Sequence, residues 1–293
     1  MDLARLIRVA IPASILLLVF SLGLRATAAD ATYLLRRPVL LLRALLAMNV
    51  VVPLVAAALA ALFDLTPAVK IALLAMAVSP VPPILPGKQL KLGGRASYVY
   101  GLLVAASLAA IVLVPLAIEV LGRLFQREAH IGVAVVAKLV MLTVLLPLVA
   151  GLAVRHLAPG LAERVAPWTS RLGNVLLLAG LLPVLVAAWP GIVSLIGNGT
   201  VLAIAAVVAA GLAAGHLLGG PDAEDRTALA IASSMRHPGV ALAIAQVNFP
   251  GETLVRAAVL LFLLVNVIVT MPYGAWRKRR QGESAGGVVG PPA

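Results

Sequence analysis

The sequence predicts an all-α polytopic membrane protein, on three observations. Hydrophobic residues make up 62% of the 293-residue chain and charged residues only 12%, against about 45–50% and about 25% in a soluble domain. The mean hydropathy is +1.09. Apolar runs of spanning length, roughly 20 residues each, follow one another through short connections. A membrane β-barrel is excluded, because its strands would alternate apolar and polar residues with a period of two. The absence of cysteine removes disulfides, thiolate metal sites and cysteine nucleophiles. The net charge of +12 sits on Lys and Arg residues that mostly flank apolar runs. That pattern points to topology and anionic lipid, not to nucleic acid.

Hydropathy divides the chain into nine spans, at 6–24, 39–63, 68–86, 95–121, 131–155, 170–189, 197–217, 225–247 and 254–276. The first follows Arg5 and Arg8 and ends before Ala26-Thr27-Ala28-Ala29, as a cleavable signal peptide would. Arg25 interrupts the approach to that site, and the run is long enough to span. The connections at 25–38, 87–95, 155–169 and 218–226, with the C-terminus, carry thirteen cations, from Arg25 to Arg280. The opposite side carries six: Arg5, Arg8, Lys70, Arg123, Arg127 and Arg256. The positive-inside rule places the thirteen in the cytoplasm, with the N-terminus outside and the C-terminus inside. Trp168, Trp189 and Trp276 stand at span ends as aromatic-belt residues. The absence of targeting extensions suggests a bacterial inner membrane.

Two spans are interrupted. The third ends in Ser79-Pro80-Val81-Pro82-Pro83-Ile84-Leu85-Pro86-Gly87-Lys88, and its clustered prolines cannot continue a helix. The eighth contains Ser233-Ser234-Met235-Arg236-His237-Pro238-Gly239. The two stretches resemble each other and lie five spans apart, so one copy is inverted relative to the other. Inverted repeats with a broken helix in each half point to a secondary transporter's binding site. Non-helical backbone at membrane depth is tolerated only where it lines a cavity or is buried in protein.

Further motifs follow in order: Leu18-Val-Phe-Ser-Leu-Gly23-Leu24 with Asp30 and Pro38, then Val50-Val-Val-Pro53-Leu54. Next come Lys138 with Leu145-Leu146-Pro147-Leu148-Val149-Ala150-Gly151-Leu152, then Met235 and Gly239. In these motifs the chain resembles the bile acid/sodium symporter family. The resemblance implies two inverted repeats, at 1–130 and 131–277, and two broken helices crossing in a core domain that packs against a panel domain. Residues 278–293 form a disordered cytoplasmic tail in this reading. The implied function is sodium-driven transport of amphipathic organic anions, and the chain is not an enzyme.

The departures are informative. The family's first crossing motif carries side-chain oxygens that bind sodium, and here the aligned stretch Pro80–Pro86 has none, with Leu85 and Pro86 at its last two positions. At the second crossing, a Glu, a Gln and an Asn of the family are replaced by Ala232, Arg236 and His237. Hard cations need several oxygen ligands, usually with a carboxylate among them. The acids of this chain all fall at span ends, in connections or in tails. No cofactor or metal is expected, and two-sodium coupling is disfavoured.

Arg236 cannot lose its charge and, if buried, needs an anion or several carbonyl partners. A substrate anion is the attractive partner, with His237 the proton-coupling candidate. Ser79, Ser233 and Ser234 could orient a ligand, and Lys88, Asn49 and Asn266 complete the candidate substrate-binding set. Lys138 and His216 read as interfacial or packing residues. The expected function is therefore secondary transport of a small organic anion across the lipid bilayer by proton coupling, exchange or uniport. The alternative is a transport-inactive receptor or accessory protein that keeps the fold.

Overall fold

In the computed structural model, which describes residues 3–286, every regular element is a helix. The first four are α1 (Leu3–Gly23), the short α2 (Ala28–Ala31), α3 (Pro38–Leu62) and α4 (Pro67–Val78). The short α5 (Pro86–Lys91) precedes α6 (Ala96–Leu124), α7 (Val133–Leu157) and α8 (Pro159–Ser194). The last four are α9 (Thr200–Leu218), α10 (Ala223–Ser234), α11 (Pro238–Asn248) and α12 (Val255–Gly286).

Among the described residues seven segments, with α10 and α11 taken as one, are long and apolar enough to cross a membrane. Two shorter apolar helices, Val9–Gly23 and Pro67–Val78, fall where the first and third spans were predicted. Leu62, Val186, Leu202 and Leu217 are exposed on the outer surface, as side chains facing lipid must be.

Two segments differ from the sequence reading. Residues 155–169 were read as a connection, yet α8 begins at Pro159 and runs for 36 residues. At 1.5 Å per residue it is about 54 Å long, well beyond the ~30 Å hydrocarbon core. Its first turns are held in place by an Arg155–Glu163 pair at 3.0 Å and by Ala162 and Ala166 packed around Leu24. Residues 278–293 were read as a disordered tail, yet α12 continues to Gly286. Arg, Lys, Gln, Glu and Ala, the bulk of 278–285, are good helix formers. Residues 1–2 and 287–293 lie outside the described residues.

The helices pack in two groups. α1 lies against α8 and the second half of α7. Its contact with α7 is backbone to backbone: a Cβ on Gly23 would stand 2.3 Å from the Leu148 carbonyl oxygen. Small residues allow this approach where no hydrophobic force separates helix from lipid. The second group surrounds α4, which touches α3, α11 and α12, while α10 lies along α9. The main buried cluster joins α3, α4, α6, α9, α11 and α12, and it reaches the first group through Val136 and Val140 of α7 and Ile192 of α8. A second one joins α3, α6, α9 and α10 beneath the first break.

Candidate functional site

Both predicted interruptions are present and they meet. α4 stops at Val78 because Ser79 precedes a proline, which drives it out of the helical region to φ −68°, ψ 149°. The chain stays non-helical until α5 starts on Pro86. α10 stops at Ser234, Met235 is extended, and His237 at φ −79°, ψ 104° shows the same pre-proline restriction before α11 starts on Pro238. The His237 backbone N–H donates to the Pro80 carbonyl at 2.9 Å, joining one break to the other.

Arg236 lies at this junction with no exposed surface. Its Nη1 donates to the Ser79 carbonyl at 3.3 Å and its Nη2 to the Met48 carbonyl. The local fold makes both acceptors available. In α3 the Val52 N–H bonds back five residues to Ala47, in a π turn over Ala47–Val51, and Pro53 has no N–H. The Met48 carbonyl is thereby left without a helical donor. The helical donor for Ser79 would be residue 83, which is also proline. Among the described residues no acid pairs with Arg236.

The remaining predicted residues divide into engaged and unengaged groups. The Ser79 hydroxyl donates to the Ala75 carbonyl at 2.6 Å and that of Ser234 to Ile231 at 3.0 Å, so each closes its own helix end. Asn266 on α12 donates to the Ser234 carbonyl at 2.7 Å. His237 Nδ1 accepts the Gly239 and Val240 backbone N–H groups at 3.1 and 3.4 Å, capping α11. That nitrogen is therefore unprotonated, and the neutral ring carries its proton on Nε2. Four buried polar atoms in or beside the second break have no partner: Ser233 Oγ, Arg236 Nε, His237 Nε2 and Asn266 Oδ1. Such groups are costly unless a ligand or water meets them.

Two predicted residues stand apart. Lys88 donates to Thr270 Oγ1 on α12 at 2.8 Å, which ties α5 down. Asn49 is half-buried, and its predecessor Met48, not its own side chain, reaches the junction. Lys138 is exposed, and His216 Nδ1 lies 2.9 Å from the Tyr273 hydroxyl beside Trp276. Trp168, Trp189 and Trp276 are all exposed.

Sequence reading missed a second polar cluster. Arg95, just before α6, lies 2.7 Å from Asp222 and 3.3 Å from Asp225 and donates to the Tyr33 hydroxyl at 3.2 Å. Burial pulls the Arg95 pKa down, but Asp225, Asp222 and Tyr33 outweigh it and hold the guanidinium above its ordinary value. Asp225 starts a helix, as its sequence position indicates, yet its side chain is wholly buried. A cavity of about 620 Å³ lies near the other end of α4, lined by Lys70, Leu74, Ala75, Ile118, Arg127 and Ile244 among others.

The family model described as the Sodium Bile acid symporter family matches residues 12–217. The chain belongs to that family. Its members are transporters and not enzymes. The match runs from the middle of α1 through most of α9, including Met48 and the first break, and ends before α10, Arg236 and His237. No curated protein matches the chain. A lipid bilayer and a small transported solute follow from membership, and the apolar helices place the chain in a membrane.

Proposed function

We propose that the protein is a secondary transporter of a small organic anion that does not use ordinary two-sodium coupling. One observation carries this reading: a guanidinium that cannot be neutralised is buried where the two helix breaks meet, bonded to the Ser79 and Met48 carbonyls. A fixed positive charge there opposes a mobile cation and attracts an anion.

The anion binds at the junction. Arg236 Nε, His237 Nε2 and the Ser233 hydroxyl supply donors, all three now without partners, and Asn266 Oδ1 can accept from a hydroxyl or N–H elsewhere on the ligand. Ser79 and Ser234 shape the helix ends, and Lys88 and Asn49 take second places in the candidate set. His237 is the proton-coupling candidate, with exchange and uniport the other modes. Nine spans form two inverted repeats, 1–130 and 131–277. The seven long and two short apolar helices and the paired breaks support that count. α1, α7 and α8 make a panel, the other spans make a core, and the core rocks against the panel to alternate access. The N-terminus is outside and the C-terminus in the cytoplasm of a bacterial inner membrane, as the cation asymmetry favours.

The test is counterflow in liposomes loaded with an unlabelled organic anion, using a labelled bile acid and a panel of smaller carboxylates in sodium-free medium. Saturable counterflow with at least one anion is expected. Counterflow that appears only when sodium is added contradicts the reading.

A further inference from the structure

We propose that the junction of the two breaks is a monovalent-cation site whose occupant is the chain's own guanidinium. The inference rests on the reading of Arg236 as a permanent buried charge and adds what that charge replaces.

The surroundings of Arg236 are those of a bound cation. The Ser79 and Met48 carbonyls have lost their helical donors to Pro83 and Pro53, so each presents an unshared oxygen in a buried place. Ser79 is also the first residue after α4, and Arg236 follows two residues after the end of α10. Both 12-residue helices therefore turn their negative ends toward the guanidinium. Oxygen dipoles without a carboxylate suit one positive charge and are too weak for a dication. Left empty, the same oxygens would be buried and unsatisfied.

The consequence is a cation that stays with the protein through the cycle. An anion bound at the junction meets a charge already in place and needs no co-ion to enter with it. Emptying the site by truncating Arg236 leaves a carbonyl-lined vacancy that a free monovalent cation can fill.

The experiment follows the thermal unfolding of detergent-solubilised Arg236→Ala in low-millimolar guanidinium chloride, sodium chloride or choline chloride at fixed ionic strength. A saturating rise in unfolding temperature with guanidinium, and a weaker one with sodium, is expected in Arg236→Ala. The native protein and Arg236→Lys, whose sites stay filled, should show neither. Equal unfolding temperatures of Arg236→Ala in all three salts overturn the proposal, as does the same rise in the native protein. If Arg236→Ala yields no folded protein, Arg236→Gln keeps a donor for one carbonyl and is measured in the same way, with equal temperatures again overturning it. No step requires transport, so failure of counterflow and failure of this proposal are separate results.

Discussion

Gly211→Ala should destabilise the protein at the second break. Gly211 lies on α9 where α10 ends, and a Cβ added to it would stand 2.5 Å from the Ser233 carbonyl oxygen and 2.9 Å from the Ser234 Cα. Ordinary contact begins near 3.4 Å, so the two helices must part by about 0.9 Å. The obstacles are backbone atoms and cannot rotate aside. Overpacking of this kind costs about 1–3 kcal/mol, and a radial gap near 1 Å forfeits up to about half the dispersion energy of each affected contact. The expected loss is at the upper end, about 3 kcal/mol. At ~2 °C per kcal/mol for a chain of this size, the unfolding temperature falls by about 6 °C. Trp168, Trp189 and Trp276 report unfolding by fluorescence in detergent. Gly160→Ala is the control, since a Cβ there meets nothing within 4 Å. An unfolding temperature for Gly211→Ala equal to that of Gly160→Ala would refute the close-packing argument.

Other perturbations probe separate contacts. His237→Asn should keep the cap on α11 and nearly native stability, whereas His237→Ala should lose about 0.5–2 kcal/mol; an uptake pH profile unchanged in His237→Asn removes His237 from proton coupling. Arg95→Ala should lose more stability than the Arg95→Ala/Asp225→Asn double variant, because the single change strands a buried carboxylate; a double-mutant cycle with no coupling contradicts this. Burial of Asp30 pushes its carboxyl up, but hydrogen bonds from Thr27 and Ser97 outweigh that and hold it below the ordinary 3.8. A depressed folded-state pKa stabilises above the unfolded value and is lost as pH falls through the folded one. Thr27→Val should therefore flatten the acid limb of the stability curve below about pH 4, as an acid titration of unfolding temperature will show.

Much of this architecture was legible because proline and apolar run length act locally. Both breaks were readable from their prolines: at Ser79-Pro80 the pre-proline restriction ends α4, and at His237-Pro238 it keeps His237 non-helical before α11. Family membership was readable from motifs spread along the chain. The sequence did not reveal that Met48 reaches the site through a backbone carbonyl, because a carbonyl has no residue signature. Its one available signal was Pro53, five residues on. Asp225 looked harmless at a helix start, since burial of a helix end depends on what packs over it. The early start of α8 was hidden by Glu163, Arg164 and Pro167, polar or breaking residues that an interfacial helix accommodates. Lys88 was nominated by its place beside the first break and Asn49 by its nearness to a polar position of the family; the bond from Lys88 to Thr270 is a tertiary contact that the sequence does not show.

The most direct test of sodium-independent operation needs no substrate. Thermal unfolding of the purified native protein is followed as sodium chloride replaces choline chloride at constant ionic strength. A bound ion stabilises by RT ln(1 + [L]/Kd), about 2.7 kcal/mol at 100 times Kd. With the guanidinium of Arg236 already on the Ser79 and Met48 carbonyls, the expected result is a flat unfolding temperature. A saturating, sodium-specific rise would contradict it and mean that a cation site survives beside Arg236.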